Sequence, residues 1–141
     1  MGRDVVTYET INQLFNAAIR RGGQNRFQWW RTGPDTTESL TYTQVGYKVK
    51  DLCGALLEMG IEKRDRIAIM APNCPQWLWA DMAILNAGAV TVTIYPTSSE
   101  RELSYIINDS GCRAIFVKDA DILQRVLNCV NNLPTLEKII V

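Results

Sequence analysis

Histidine does not occur in this chain. Its absence removes Ser-His and Cys-His nucleophile systems, most zinc chemistry and the commonest general base from the segment. An excess of either charge is also lacking: fifteen basic residues balance fifteen acidic ones, so no global field draws the chain to nucleic acid or to an anionic membrane. The basic runs are short, Arg20-Arg21 and Lys63-Arg64, and each sits where a helix ends or a loop begins, as solvated end charges do. Cys53, Cys74, Cys112 and Cys129 show none of the close spacing of zinc or redox pairs. They read as small buried hydrophobes. With no leader pattern over Met1 to Thr10, the expectation is a reduced cytoplasmic protein. No apolar run approaches the roughly 20 residues that span a bilayer, so no transmembrane segment is expected.

What is present suits a globular chain. The 141 residues are 47% hydrophobic and 21% charged, a balance that supports a core, and one compact unit is expected. From Thr10 to Arg21, Ile11, Leu14, Phe15, Ala18 and Ile19 share one helical face before Gly22-Gly23 stops the helix. Phe27 and Trp29 read as a strand, Gly33-Pro34-Asp35 as a turn and Ser39 to Thr41 as the returning strand of a hairpin. Thr41 is placed to cap a helix from Tyr42 to Met59, striped by Val45, Val49, Leu52, Cys53 and Leu56 and closed at Gly60.

Beyond Gly60 the pattern becomes regular. Apolar runs at Ile67 to Met70, Val90 to Ile94, Ala114 to Val117 and Ile139 to Val141 recur about every 24 residues, each short enough for a buried strand. Helical segments fill the gaps. Pro75 to Ala87 starts on a proline and is apolar nearly all round; Ser99 and Glu102 have capping-box spacing for a helix to Ser110; Ala120 to Val130 aligns Ile122, Leu123, Val126, Leu127 and Val130. The expected fold is α/β, a parallel sheet layer of repeated strand-helix units with flanking helices and an amino-terminal hairpin. A bare apolar strand at Lys138 to Val141 is an unusual place for such a layer to close, so a partial domain is expected.

Several chemistries find no footing. Neither G-x-G-x-x-G nor G-x-x-x-x-G-K-[ST] occurs, so neither standard phosphate cradle is available. Asp65 precedes its strand, and Asp119 and Asp121 follow theirs without an acidic partner near Met70 or Ile94, so no carboxylate cluster for a metal is expected. Two loops follow strands on the side where open α/β sheets bind ligands: Ala71-Pro72-Asn73-Cys74 and Tyr95-Pro96-Thr97-Ser98. Turn-making by proline and capping by polar side chains accounts for both without a ligand. Trp29, Trp30, Trp77 and Trp79 would suit an apolar pocket, but core or interface packing accounts for them and is the expectation.

At these loops the sequence resembles a known family. DRIAIMAPNCPQW (65–77), ADMAILNAGAVTVTIYPTSSERE (80–102) and YIINDSG (105–111), together with LTY (40–42), resemble the amino-terminal region of AMP-forming acyl-CoA synthetases, the long-chain fatty acid branch above all. Arg64 stands where that family usually has glycine, and Thr93 where it usually has proline.

The resemblance implies the amino-terminal part of the large AMP-binding domain of an adenylate-forming ligase. Such an enzyme makes an acyl-adenylate from ATP and a fatty acid, then passes the acyl group to CoA. It implies ATP, magnesium and CoA as ligands of the full-length enzyme, held by a Ser/Thr/Gly-rich loop, a Glu and a Lys of a mobile C-terminal domain, none of which matches a residue here. No catalytic, cofactor or metal residue is therefore assigned. The chain by itself is expected to be inactive, to bind none of these ligands specifically, and to self-associate through exposed apolar surface. Substrate-crevice candidates, chosen because they follow strand ends, are Asn73, Trp77, Tyr95, Pro96 and Thr97. The implied location is cytoplasmic or peripheral to a membrane. Two alternatives share the pattern: an acyl-AMP ligase that serves a carrier protein, and a non-catalytic truncated interaction module.

Overall fold

A computed structural model describes residues 7–141; most of the first ten residues, read above as lacking a leader, fall outside it. The chain divides into two compact units, Met1–Lys48 and Val49–Val141, where its length had suggested one. In the first unit Phe15, Ala17, Thr41 and Val45 are buried.

In the first unit, α1 (Ile11–Gly22) is capped by Thr10, whose side chain accepts from the Gln13 amide. Strands β1 (Arg26–Arg31) and β2 (Thr37–Thr41) pair antiparallel. Their register shifts between Arg26 and Gln28, and the intervening Phe27 stacks on Tyr42 with ring centroids 4.3 Å apart. Tyr42 opens α2 (Tyr42–Glu58), and Thr41 caps it reciprocally: Thr41 Oγ1 accepts from the Gln44 amide, and Gln44 Oε1 from the Thr41 amide. The buried face of α1 is Phe15 and Ala17, whereas Ile11 and Leu14 are exposed, a shift from the face that periodicity alone selects. Close approach explains Gly22 and Gly46. A Cβ on Gly22 would lie 2.2 Å from the Tyr42 ring, and one on Gly46 2.7 Å from Ile19 Cγ2.

The second unit holds β3 (Arg66–Met70), α3 (Pro75–Asn86), β4 (Val90–Ile94), α4 (Glu100–Ser110), β5 (Ala114–Val117), α5 (Ala120–Cys129) and β6 (Lys138–Ile140). All four strands are parallel, in the order β4-β3-β5-β6. This is the expected strand-helix layer. Alternation along the strands sorts the two faces. Ala68 and Met70 of β3, Ile94 of β4 and Ile115 and Val117 of β5 point into a core closed by Leu103 and Ile107 of α4 and Ile122 and Val126 of α5. Each fully buried Leu or Ile of this kind contributes about 1.5–3 kcal/mol. Ile69 and Phe116 point the other way, toward α3 and the Leu52 turn of α2. The capping box at Ser99 and Glu102 is formed, and Asp119 caps α5 by accepting from the Ile122 amide at 2.9 Å. The Asp119 carboxylate is thus a helix start.

The cysteines are free thiols, Cys112 and Cys129 buried and Cys53 and Cys74 half-buried. Burial pushes the Cys112 thiol up against the smaller opposing pulls of a Ser110 contact and Arg66, so it stays protonated. Arg64 is the one non-glycine among the described residues in the left-handed region, at φ 73°. That is the position where the resembled family carries glycine.

Two stability experiments follow from this packing. Gly22→Ala drives a methyl into the Tyr42 ring and is expected to cost about 1–3 kcal/mol by urea titration, whereas Gly54→Ala, which has nothing within 4 Å of its new Cβ, raises stability by up to about 1 kcal/mol. Arg64→Gly relieves the left-handed conformation and is expected to raise stability by about 0.5–1 kcal/mol, read as a higher urea midpoint.

Candidate functional site

The strand order sets where a crevice forms. From β3 the chain crosses to β4 on one side, and from β5 it continues to β6 on the other. The connections therefore part company between the C-terminal ends of β3 and β5, the position at which open α/β sheets bind ligands. A groove of about 350 Å³ lies there. Its floor is Ile69, Phe116 and Ile140 from three adjacent strands; Trp77 and Trp79 of α3 and Leu52 of α2 wall it; Cys74 and Lys118 stand among its polar margin. Helix α3 contacts β3 and β4, which leaves Phe116 and Ile140 on its far side only half-buried. Trp77 and Trp79 are half-buried for the same reason, although α3 is apolar nearly all round.

The candidate residues separate. Trp77 lines this groove. Asn73 is exposed in the β3–α3 loop, beside Cys74, which begins α3 without a side-chain cap. Tyr95 lines a second, more polar groove of about 710 Å³ with Ser98, Arg101 and Tyr105. Pro96 and Thr97 line neither, Pro96 half-buried and Thr97 exposed. Trp29 and Trp30 belong to the hairpin of the first unit. Phe116, Lys118 and Leu52 were not singled out in the sequence, because each lies in an ordinary strand, loop or helical stripe until the sheet order brings them together.

The opposite edge of the sheet is closed by charge. Asp65, Arg113 and Glu137 immediately precede β3, β5 and β6. Arg113 pairs with Asp65 and, at 2.9 Å, with Glu137. The hydrogen bond from Arg113 holds the Glu137 carboxyl below the usual carboxylate range, and the bonds to Glu137 and Asp65 push the Arg113 guanidinium upward. Arg66 Nε donates to the Ser110 carbonyl at 2.7 Å and ties the end of α4 to the same edge. These groups are consumed in bonding strand starts together.

Among the described residues no three Cys, Asp or Glu side chains come together as a metal site, and no helix is long and apolar enough to cross a membrane. The loops at the C-terminal edge also lack a glycine cradle for phosphate.

Comparison with known proteins agrees with this architecture. Long-chain-fatty-acid–CoA ligase heimdall of Drosophila melanogaster is 27% identical over 135 residues, 94% of this chain and 20% of that protein. The chain accordingly spans about a fifth of the length of the curated relatives it matches. Among solved structures, the anthranilate CoA ligase AuaEII bound to anthranoyl-AMP superposes with a TM-score of 0.82 at 21% identity, over 96% of this chain and 25% of that one. The N-terminal domain of FACL13 from Mycobacterium tuberculosis gives 0.78 at 22% identity, over 94% of this chain and 34% of that one. The sequence profile of the AMP-binding enzymes matches residues 15–141, nearly the whole chain, and the chain belongs to that family.

Proposed function

We propose that this chain is the amino-terminal part of the large domain of an ATP-dependent acyl-CoA synthetase that activates a long-chain fatty acid as its adenylate and transfers the acyl group to CoA. The family match over residues 15–141 carries this reading. Relatives named as long-chain-fatty-acid–CoA ligases, matched over more than nine-tenths of the chain, support the substrate class. In this reading, polypeptide corresponding to the remaining length of those relatives holds the nucleotide, magnesium and CoA. The segment does no chemistry alone.

Its contribution is a platform. Four parallel strands present the β3–α3 and β4–α4 loops at one edge, where Asn73, Trp77, Tyr95, Pro96 and Thr97 line or support the substrate crevice. The half-covered surface of Phe116, Ile140, Trp77 and Trp79 is apolar, and further polypeptide or a second copy of the segment removes it from water.

In the full-length protein, Tyr95→Ala and Thr97→Ala are each expected to lower ATP- and CoA-dependent thioester formation by roughly tenfold or more, while Glu58→Ala, at an exposed position of α2, leaves it near wild type. Equal rates for all three would remove these loop residues from the crevice. Product analysis separates the acceptors: a thioester formed with CoA supports the synthetase, and an adenylate passed only to a carrier protein points to the acyl-AMP ligase instead. The isolated segment is expected to sediment as dimers or larger species; a monodisperse monomer over a wide concentration range would favour a self-sufficient interaction module.

A further inference from the structure

The β4–α4 loop is held from a distance by a residue with no evident role in the sequence. Arg125 lies on α5, one turn past the apolar Ile122, and is half-buried. Its guanidinium reaches across to the loop and donates twice, Nη2 to the Pro96 carbonyl at 2.6 Å and Nη1 to the Ser98 carbonyl at 3.0 Å. The ion pairs among the described residues belong to Arg113, so the Arg125 charge is directed at carbonyl oxygens. A planar fork of donors suits this task, since two acceptors at fixed separation define both the position and the tilt of the segment that carries them.

The loop has few other means of holding that shape. Ser98 donates to the Tyr95 carbonyl to close a tight turn, and the Ser99 amide is taken by Glu102 in the capping box. Both bonds are local and neither relates the turn to the rest of the sheet. Asn128 Nδ2, one turn beyond Arg125 on α5, donates to Glu100 Oε1 and adds an exposed tether. Tyr95 at the head of the loop is 81% exposed and Thr97 is exposed, so packing does not fix either side chain's base.

We propose that Arg125 is a positioning residue: by clamping the Pro96 and Ser98 carbonyls it sets the conformation in which the β4–α4 loop presents Tyr95 and Thr97 at the C-terminal edge of the sheet. The consequence for turnover rests on the crevice reading above; the clamp itself does not.

The test compares wild type, Arg125→Met and Arg125→Lys in the full-length protein, by amide hydrogen exchange across residues 95–99 with β3 as the internal reference. Losing charge-assisted bonds is expected to speed exchange at Ser98 and Ser99 by about tenfold or more in Arg125→Met while β3 is unchanged. Arg125→Lys keeps the stem and charge but not the fork, and is expected to fall between. Should Arg125→Met fail to fold, the lysine variant carries the comparison. Loop exchange as slow as wild type, or loop and β3 accelerated alike, would overturn the clamp. Thioester formation on the same samples reads the crevice separately. A loosened loop with a raised KM for the carboxylate supports both, and a loosened loop with unchanged kinetics keeps the clamp while removing the loop from the crevice.

Discussion

Parallel pairing on both sides of β3 is the constraint from which the larger unit follows. Arg66 to Met70 bonds to β4 on one side and β5 on the other, and Ile67, Ala68, Ile69 and Met70 are buried. A strand in that position needs apolar residues on both faces, which is why this run shows no alternation. It also needs a helix over each face. The chain supplies α3 on one and α4 with α5 on the other, because each crossover must return to start a parallel strand at the same edge.

That requirement divides the labour between the two edges of the sheet. Strand starts converge, and their charged residues are used up on one another: Arg113 with Asp65 and Glu137, Arg66 with the end of α4. Strand ends diverge into loops that leave Asn73, Tyr95 and Thr97 exposed. The apolar groove beside Trp77 and the exposed Tyr95 both lie at this second edge.

Both departures from the family pattern have physical readings. Arg64 takes a left-handed conformation that glycine adopts without strain, and its amide still donates to the Gly88 carbonyl at 2.8 Å; the turn keeps its shape and tolerates the larger residue. Thr93 lies exposed on β4, the edge strand of the sheet. Edge strands accept proline or a β-branched residue, since one side makes no ladder bonds. Neither substitution touches the central pairing, and the family's architecture survives both.

Local chemistry was readable from the chain alone. Thr41 and Ser99 announce helix starts, and the four apolar runs announce strands, because capping and periodicity depend on residues only a few positions apart. The family was legible in the same way, through ordered stretches from Leu40 onward. Only the tertiary structure decided the order β4-β3-β5-β6, the separation of Trp77 from Tyr95 into different grooves, the exposed Ile11 and Leu14 on α1, and the reach of Arg125 to Pro96 and Ser98. Those features join residues tens of positions apart. A side chain's type and spacing say which face of its own element it occupies, whereas its partner on another element is set by how strands pair and crossovers return, and that is a property of the whole fold.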